Sequence, residues 1–302
     1  MAGPSLSSRI SPGDSSCRPT TTNMRLELAA LTTSGAITDP ITDPILRRAI
    51  LELVLVGIGA GTLGCWVVLY GFSYSAESLS HALFPGLVLA TLLGSSLVIG
   101  GIVGAMIAAL AIVAARQVPS VDSDTAIAVV VTTLFGAGTL MALSRASPPG
   151  LSNLLFGDVL GTSDTDLVLA AVSAIVVLGV LRLLHGRLLI TGFDRAGASS
   201  LGVRPAVAET AVLVLTALVV VVAIQGLGNL LVLAVLVGPA MVARRLSARI
   251  GTMMAISAGT AALGGILGIY VSYYLGTAAG ASVALSLVAL YLLAVPAGAM
   301  RA

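Results

Sequence analysis

From Arg47 onward the chain is a succession of long apolar runs separated by short polar breaks. Within each run the apolar residues are continuous rather than alternating at period two, which predicts helices and not the strands of a barrel. Runs of about 20 residues suffice to cross a bilayer. Spans are predicted near 49–70, 76–94, 96–115, 124–144, 167–185, 206–224, 226–243, 252–273 and 279–297. The stretch 80–115 is too long for one crossing, and Gly94-Ser95-Ser96 divides it. The link at Gln225-Gly226 is so short that it marks either a turn between two spans or a break in one helix, so eight or nine spans are expected. Residues 1–46 lack this pattern: they are rich in Ser, Thr and Pro and contain the repeat ITDPITDP from Ile37 to Pro44. Such a segment buries too little surface to offset its ordering entropy and reads as a disordered tail. It has no apolar core of a signal peptide, and Met24 offers a second start, in which case residues 1–23 are not translated.

Composition sharpens this to an all-α polytopic integral membrane protein. The 302 residues are 57% hydrophobic and 9% charged, against roughly 25% charged in a soluble domain; mean hydropathy is +1.08. All 15 basic residues are Arg. Without Lys there is no Walker A loop and no Schiff-base chemistry, so any ATPase that drives this protein is another chain. A net charge of +2 points to no nucleic-acid partner. Cys17 and Cys65 are too few for a disulfide framework or a Cys-rich metal site. Gly, Ala and Ser recur inside the spans, as in GAGTLG from Gly59 to Gly64, and predict close helix packing.

Arginine placement predicts orientation. The loop 182–204 holds Arg182, Arg187, Arg195 and Arg204, and Arg244, Arg245 and Arg249 follow a later span. Positive-inside bias assigns both loops to the cytoplasm. Nine spans then leave the N-terminus outside, with Arg47 and Arg48 against the rule; eight leave it inside.

Chemistry is concentrated in SAESLSHALFPGLVLATLLG, Ser75 to Gly94. Glu77 and His81 stand four apart, on one helix face. Pro85 cannot donate to the His81 carbonyl, so a helix running through it should bend beside the histidine. By spacing alone the pair is either a polar cap at the interface or a cation contact; a carboxylate oxygen and an imidazole nitrogen suit zinc, manganese or ferrous iron. Asp124, after Asp122, heads an apolar run as an N-cap would. Asp194 to Gly202 reads as a short helix: Asp194 caps it, Ala196, Ala198, Ser199 and Ser200 keep it slim, and Gly202 suits its end. Asp158, Asp164 and Asp166 either cap the next span or solvate a loop. Glu52 and Glu209, one turn inside span ends, are expected to reach the interface, as is His185, and Pro239 should kink its span.

SLSHALFPGLVLATLLG resembles the hallmark of the zinc/manganese/iron ABC-transporter permeases, the ABC-3 family, whose usual pattern is Asp-Ala-Ile-Ser-His-Ala-Val-Leu-Pro-Gly. Similar stretches follow in family order: SDTAIAVVVTTLF (Ser123 to Phe135), LLFGDVLGTSDTDL (Leu154 to Leu167), FDRAGASSLGV (Phe193 to Val203), GNLLVLAVLVGPAMVARRLS (Gly228 to Ser247) and GILGIYVSYYL (Gly265 to Leu275). Glu77 stands where the family usually has Asp, and Ser123 where it often has Glu. The resemblance covers Arg47 to the C-terminus and implies a permease domain over 47–302 in the cell membrane, lodged in the bilayer. Its cargo would be a divalent metal ion, with no permanently bound cofactor. Glu77 and His81 would meet the ion, with Asp124 a further path residue, and Pro85, Gly86 and Pro239 would serve as hinges. The cytoplasmic loop at about 186–205 would couple to a separate ATPase through Asp194, Ala196, Ala198, Ser199, Leu201 and Gly202. The implied partners are that ATPase, an extracellular or periplasmic metal-binding protein that meets the 153–166 segment, and a second permease copy, whose Glu and His would complete a four-ligand set. The alternatives are a permease for iron chelates or cobalamin and an ion-coupled secondary transporter.

Overall fold

The computed structural model describes residues 43–116, 123–143 and 159–299; of the expected tail, 1–46, residues 1–42 lie outside them, while Pro44 to Leu46 already belong to the first helix, capped by Asp43. The helices are α1 (Pro44–Leu69), α2 (Ser73–Ala82), α3 (Phe84–Leu92), α4 (Leu97–Arg116), α5 (Ser123–Ala142), α6 (Asp164–Phe193), α7 (Arg195–Ala198), α8 (Pro205–Leu246), α9 (Ile250–Leu275) and α10 (Ala279–Ala299). Short 3₁₀ turns cover Val159–Gly161 and Ser199–Leu201. No strand occurs among the described residues.

Local chemistry sets the helix ends. Asp43 caps α1 by accepting from the Ile45 N–H at 2.9 Å, ahead of Pro44 in the first turn. Ser163 and Asp166 form a reciprocal capping box on α6. Each of the nine expected spans falls on helix, and six helical stretches are long and apolar enough to cross a membrane on their own. The α2–α3 pair, α4 and the second half of α8 provide the remaining crossings.

The bundle is assembled around α1, which packs against α6, α8 and α9. Gly61 makes the α9 contact close: a Cβ there would lie 2.9 Å from the Ser257 carbonyl oxygen, and the Ser257 hydroxyl donates to the Gly61 carbonyl at 2.6 Å. Two contacts fix the direction of α6. Arg48 pairs with Asp164 at 3.0 Å at one end, and the Tyr70 hydroxyl donates to the Leu188 carbonyl at 3.0 Å at the other. α1 and α6 therefore run parallel.

The same reasoning resolves the Gln225-Gly226 link. α8 begins beside the end of α6, where Arg195 pairs with Glu209 at 3.0 Å. Gly226 then packs against Glu52, near the start of α1, whereas Gly64 further along α1 meets Leu236 and Ala240. α8 thus crosses once, breaks at Gly228 (φ 71°, ψ 162°) and runs back along α1. A positive φ of this kind is open to glycine without a Cβ clash. Gly228, and not Pro239, is the residue with non-helical dihedrals inside α8; the helix continues through the buried Pro239. Counting α8 twice gives nine crossings among the described residues. Arg182, Arg187, Arg195, Arg204, Arg244, Arg245 and Arg249 gather at one end, while Arg47 and Arg48 lie at the other, where Arg48 is neutralised by Asp164.

Candidate metal-translocation site

α2 is short because the sequence interrupts it. Its Ser80 hydroxyl donates to the Glu77 carbonyl at 2.7 Å, and Pro85, inside the first turn of α3, supplies no N–H. The chain turns at Leu83, whose carbonyl accepts from Gly86 and Leu87 at 3.1 and 3.2 Å. The expected bend thus appears as a break between α2 and α3, two residues after His81. Ala76, Ser78, Ser80 and Ala82 are buried, while Glu77 is exposed and His81 half-buried. The carboxylate accordingly lies on an open face of α2, with the half-buried imidazole one turn further along it.

α4 and α5 hold this break in place. Gly86 sits where two helix backbones touch: a Cβ on it would lie 2.6 Å from the Gly104 Cα and 2.7 Å from its nitrogen. From α5, Phe135 packs on the His81 ring (centroids 5.1 Å apart, planes at 72°) and on Phe84 (5.3 Å, 41°). Gly138 lets α5 approach, since a Cβ there would be 2.9 Å from Phe84 Cδ1 and from the Pro85 nitrogen. Glu77 and His81 offer one oxygen ligand set and one nitrogen, both suited to borderline divalent cations. Among the described residues, no group of three or more His, Cys, Asp or Glu side chains could hold a metal ion. The described residues of one chain therefore present two ligands here, Glu77 and His81. The Asp124 and Asp122 side chains lie outside the described residues.

The 194–202 segment forms as its sequence predicts. The Asp194 carboxylate accepts from the Gly197 N–H at 2.8 Å, a 3₁₀ turn follows, and Gly202 closes it at φ 73°. Ala196, Ser199 and Leu201 are exposed. Ala198 is completely buried, so it seats the turn on the bundle rather than offering a surface to a partner. Glu209, expected merely to reach the interface, anchors the segment through Arg195.

Sequence reasoning missed Glu52. It was expected at the interface, yet it is only 2% exposed. Its carboxyl lies within hydrogen-bond reach of the Thr162 hydroxyl and against Gly226. The only signal was a lone acidic residue in ILELVLVG, because its partner stands 110 positions away. Asp164 and Asp166 lie in the first turn of α6, as their position before an apolar run predicted. His185 is half-buried with its ring edge-on to Trp66 (5.6 Å, 85°), and Cys65 is buried and free.

The family model for the ABC 3 transport family matches residues 42–297, from the cap of α1 into α10. The chain belongs to the ABC 3 transport family. Its relatives in this family include the manganese import system permease protein ScaB of Streptococcus parasanguinis, 33% identical over 82% of this chain and 89% of the relative. The "probable iron transport system membrane protein" of Haemophilus influenzae is 28% identical over 87% and 97%. Among solved structures, PsaBC from Streptococcus pneumoniae in complex with Fab aligns with a TM-score of 0.80 and 30% identity, over 86% of this chain and 94% of that one. This ABC 3 chain thus has the fold of that structure at 30% sequence identity.

Proposed function

We propose that this protein is the membrane-spanning permease of an ABC importer for divalent transition-metal ions, manganese or ferrous iron being the cargoes its relatives' names favour. The observation that carries the reading is the Glu77/His81 pair, a carboxylate and an imidazole on one face of α2, beside a helix break clamped by α4 and α5. Ionisable side chains at membrane depth are costly, and they commonly mark an ion path.

Two ligands make a weak site. A second copy of the chain, related by a two-fold axis that brings the two α2 faces together, supplies two Glu and two His, a four-ligand set for a borderline cation. The exposure of Glu77 in the single chain is what such an arrangement requires. Affinity stays modest by design, since a transported ion must leave. Pro85 and Gly86 give the break, and Phe135 ties the His81 ring to Phe84 across it, so movement of α3 also moves the imidazole.

Positive-inside bias assigns the Arg-rich end to the cytoplasm. The 194–202 turn then faces the cytoplasm and is the element that docks on a separate ATPase chain, with Ala196, Ser199 and Leu201 as contacts, Asp194 and Gly202 shaping the turn, and Ala198 holding it down. Hydrolysis belongs to that chain, because this one has no Walker Lys. The opposite end, with the start of α6, receives the ion from an extracellular metal-binding protein. The test is metal uptake in a strain lacking its own permease. His81→Ala should insert normally and fail to restore uptake; restoration equal to wild type would overturn the site.

A further inference from the structure

Glu52 carries chemistry that the ion path does not use. It lies near the start of α1, is 2% exposed, and meets two other segments at the end of the bundle opposite the Arg-rich one. Its carboxyl meets the Thr162 hydroxyl, just beyond the Val159–Gly161 turn. It also lies against the backbone of α8 at Gly226, where a Cβ would fall 2.7 Å from the Glu52 Cδ and 2.8 Å from Oε2. Gly226 stands two residues before the Gly228 break, so Glu52 sits where α8 turns back.

Hydrogen counting decides the form of the carboxyl. Thr162 Oγ1 is within reach of two oxygens, Glu52 Oε2 and the Val159 carbonyl at 2.8 Å. A hydroxyl carries one proton, and a carbonyl and a carboxylate both only accept. With an ionised Glu52, one of the two contacts is oxygen against oxygen with no proton between them. With a neutral acid the chain closes: Glu52 O–H donates to Thr162 Oγ1, and Thr162 O–H donates to the Val159 carbonyl. Such a completed relay is worth more than its separate bonds in a dry site, and an incomplete one is costly.

The charged neighbours agree with a neutral group. Asp164 and Asp166, in the first turn of α6, carry the same sign of charge as an ionised Glu52 would. The nearest cation on its own helix, Arg48, is engaged by Asp164. α8 between Glu209 and Arg244, and the whole of α9, contain no acidic or basic residue. No cation faces the Glu52 carboxyl from these elements.

We infer that Glu52 is a proton-binding site: a neutral carboxylic acid that latches the turn of α8 to α1 and to the Thr162 segment at the end of the bundle opposite the Arg-rich one. Release of the proton to water breaks the relay and sets an anion against the α8 turn. The latch holds while the proton is bound and opens when it leaves, which makes uptake responsive to external pH through a group remote from the ion ligands. The effect on uptake rests on the proposed permease function, though not on the Glu77/His81 assignment, and the protonated carboxyl itself is read independently of transport.

Two measurements on the full chain in lipid, assembled with its ATPase, test it. Infrared difference spectra at neutral pH should show a buried carboxylic C=O stretch in wild type, shifted in D₂O and absent from Glu52→Gln. Thr162→Val should move that band, since its hydrogen bond is lost, and it also guards against poor folding of the Glu52 variant. As external pH is raised through the range where the wild-type band disappears, wild-type uptake should change by about five-fold or more, the lower range of ordinary coupling between sites. Glu52→Gln, whose amide N–H still donates to Thr162, should give a flat profile. A wild-type spectrum lacking this band would overturn the proposal, as would a Glu52→Gln pH profile that follows wild type.

Discussion

Two helix breaks of this membrane domain stand beside acidic residues, and they are made and used differently. At Leu83 the break comes from a missing N–H, and beside it Glu77 is exposed while His81 is half-buried against Phe135. At Gly228 it comes from a positive φ, and the Glu52 carboxyl beside it is sealed between Thr162 and Gly226. The difference is one of lone pairs. An exposed carboxylate next to a half-buried imidazole keeps lone pairs for a cation, whereas Glu52 spends its oxygens on its own protein. Acidic residues in a membrane are thus not equivalent: burial and hydrogen-bond partners separate a ligand from a latch.

The largest effect expected from this contrast is on transport itself. Glu77→Ala and His81→Ala should each lower metal uptake by about 100-fold, at the upper end of what loss of a metal-site group costs, with membrane insertion unchanged. Glu52→Ala should lower it only several-fold. Radiolabelled manganese uptake, normalised to inserted protein, checks this, and equal losses at Glu52 and His81 would erase the distinction between the breaks.

Next come the two glycines. Gly86→Ala drives a methyl group into the Gly104 backbone, and overpacking of this kind costs about 1–3 kcal/mol. It should lower the melting temperature of the purified protein. Gly226→Ala meets a carboxyl that can swing aside, so its main effect should fall on the pH profile of uptake rather than on melting. If the two shift melting alike, the carboxyl at Gly226 is as rigid as a backbone.

A smaller effect is expected at the 194–202 turn. Leu201, 68% exposed, can be changed to Glu without disturbing the fold, and Leu201→Glu should reduce co-purification of the ATPase a few-fold, as loss of an apolar interface contact does. Ala198→Trp, by contrast, should unseat the turn and lower the yield of the permease itself, because Ala198 is buried.

The smallest is the Arg195–Glu209 pair. Its Arg195 side chain is 73% exposed, so water screens it and Arg195→Ala should cost about 0–1 kcal/mol. Melting curves at low and high salt measure this.

What could be read in the sequence follows the same physics. The apolar spans are legible because each is a continuous apolar run, though their number stays at eight or nine, and the Glu77/His81 face is legible because it depends on a local spacing of four. The fold-back of α8 was left open, since Gln225-Gly226 fits a turn or a kink equally well; Gly226 packing on Glu52 decides it. Glu52 itself was illegible because its partners, Thr162 and Gly226, come from distant parts of the chain. Ala198 was placed on the wrong side because four helical residues are too few for a periodicity to assign a face.

The central claim is that the metal ion is held by the Glu77/His81 face. X-ray absorption of the manganese-loaded permease, as the full chain in lipid with its ATPase, measures the ligand shell directly. Wild type should show imidazole nitrogen together with carboxylate oxygen around the metal, and His81→Ala should lose the imidazole signature while Glu52→Gln keeps it. An unchanged shell in His81→Ala would contradict the account.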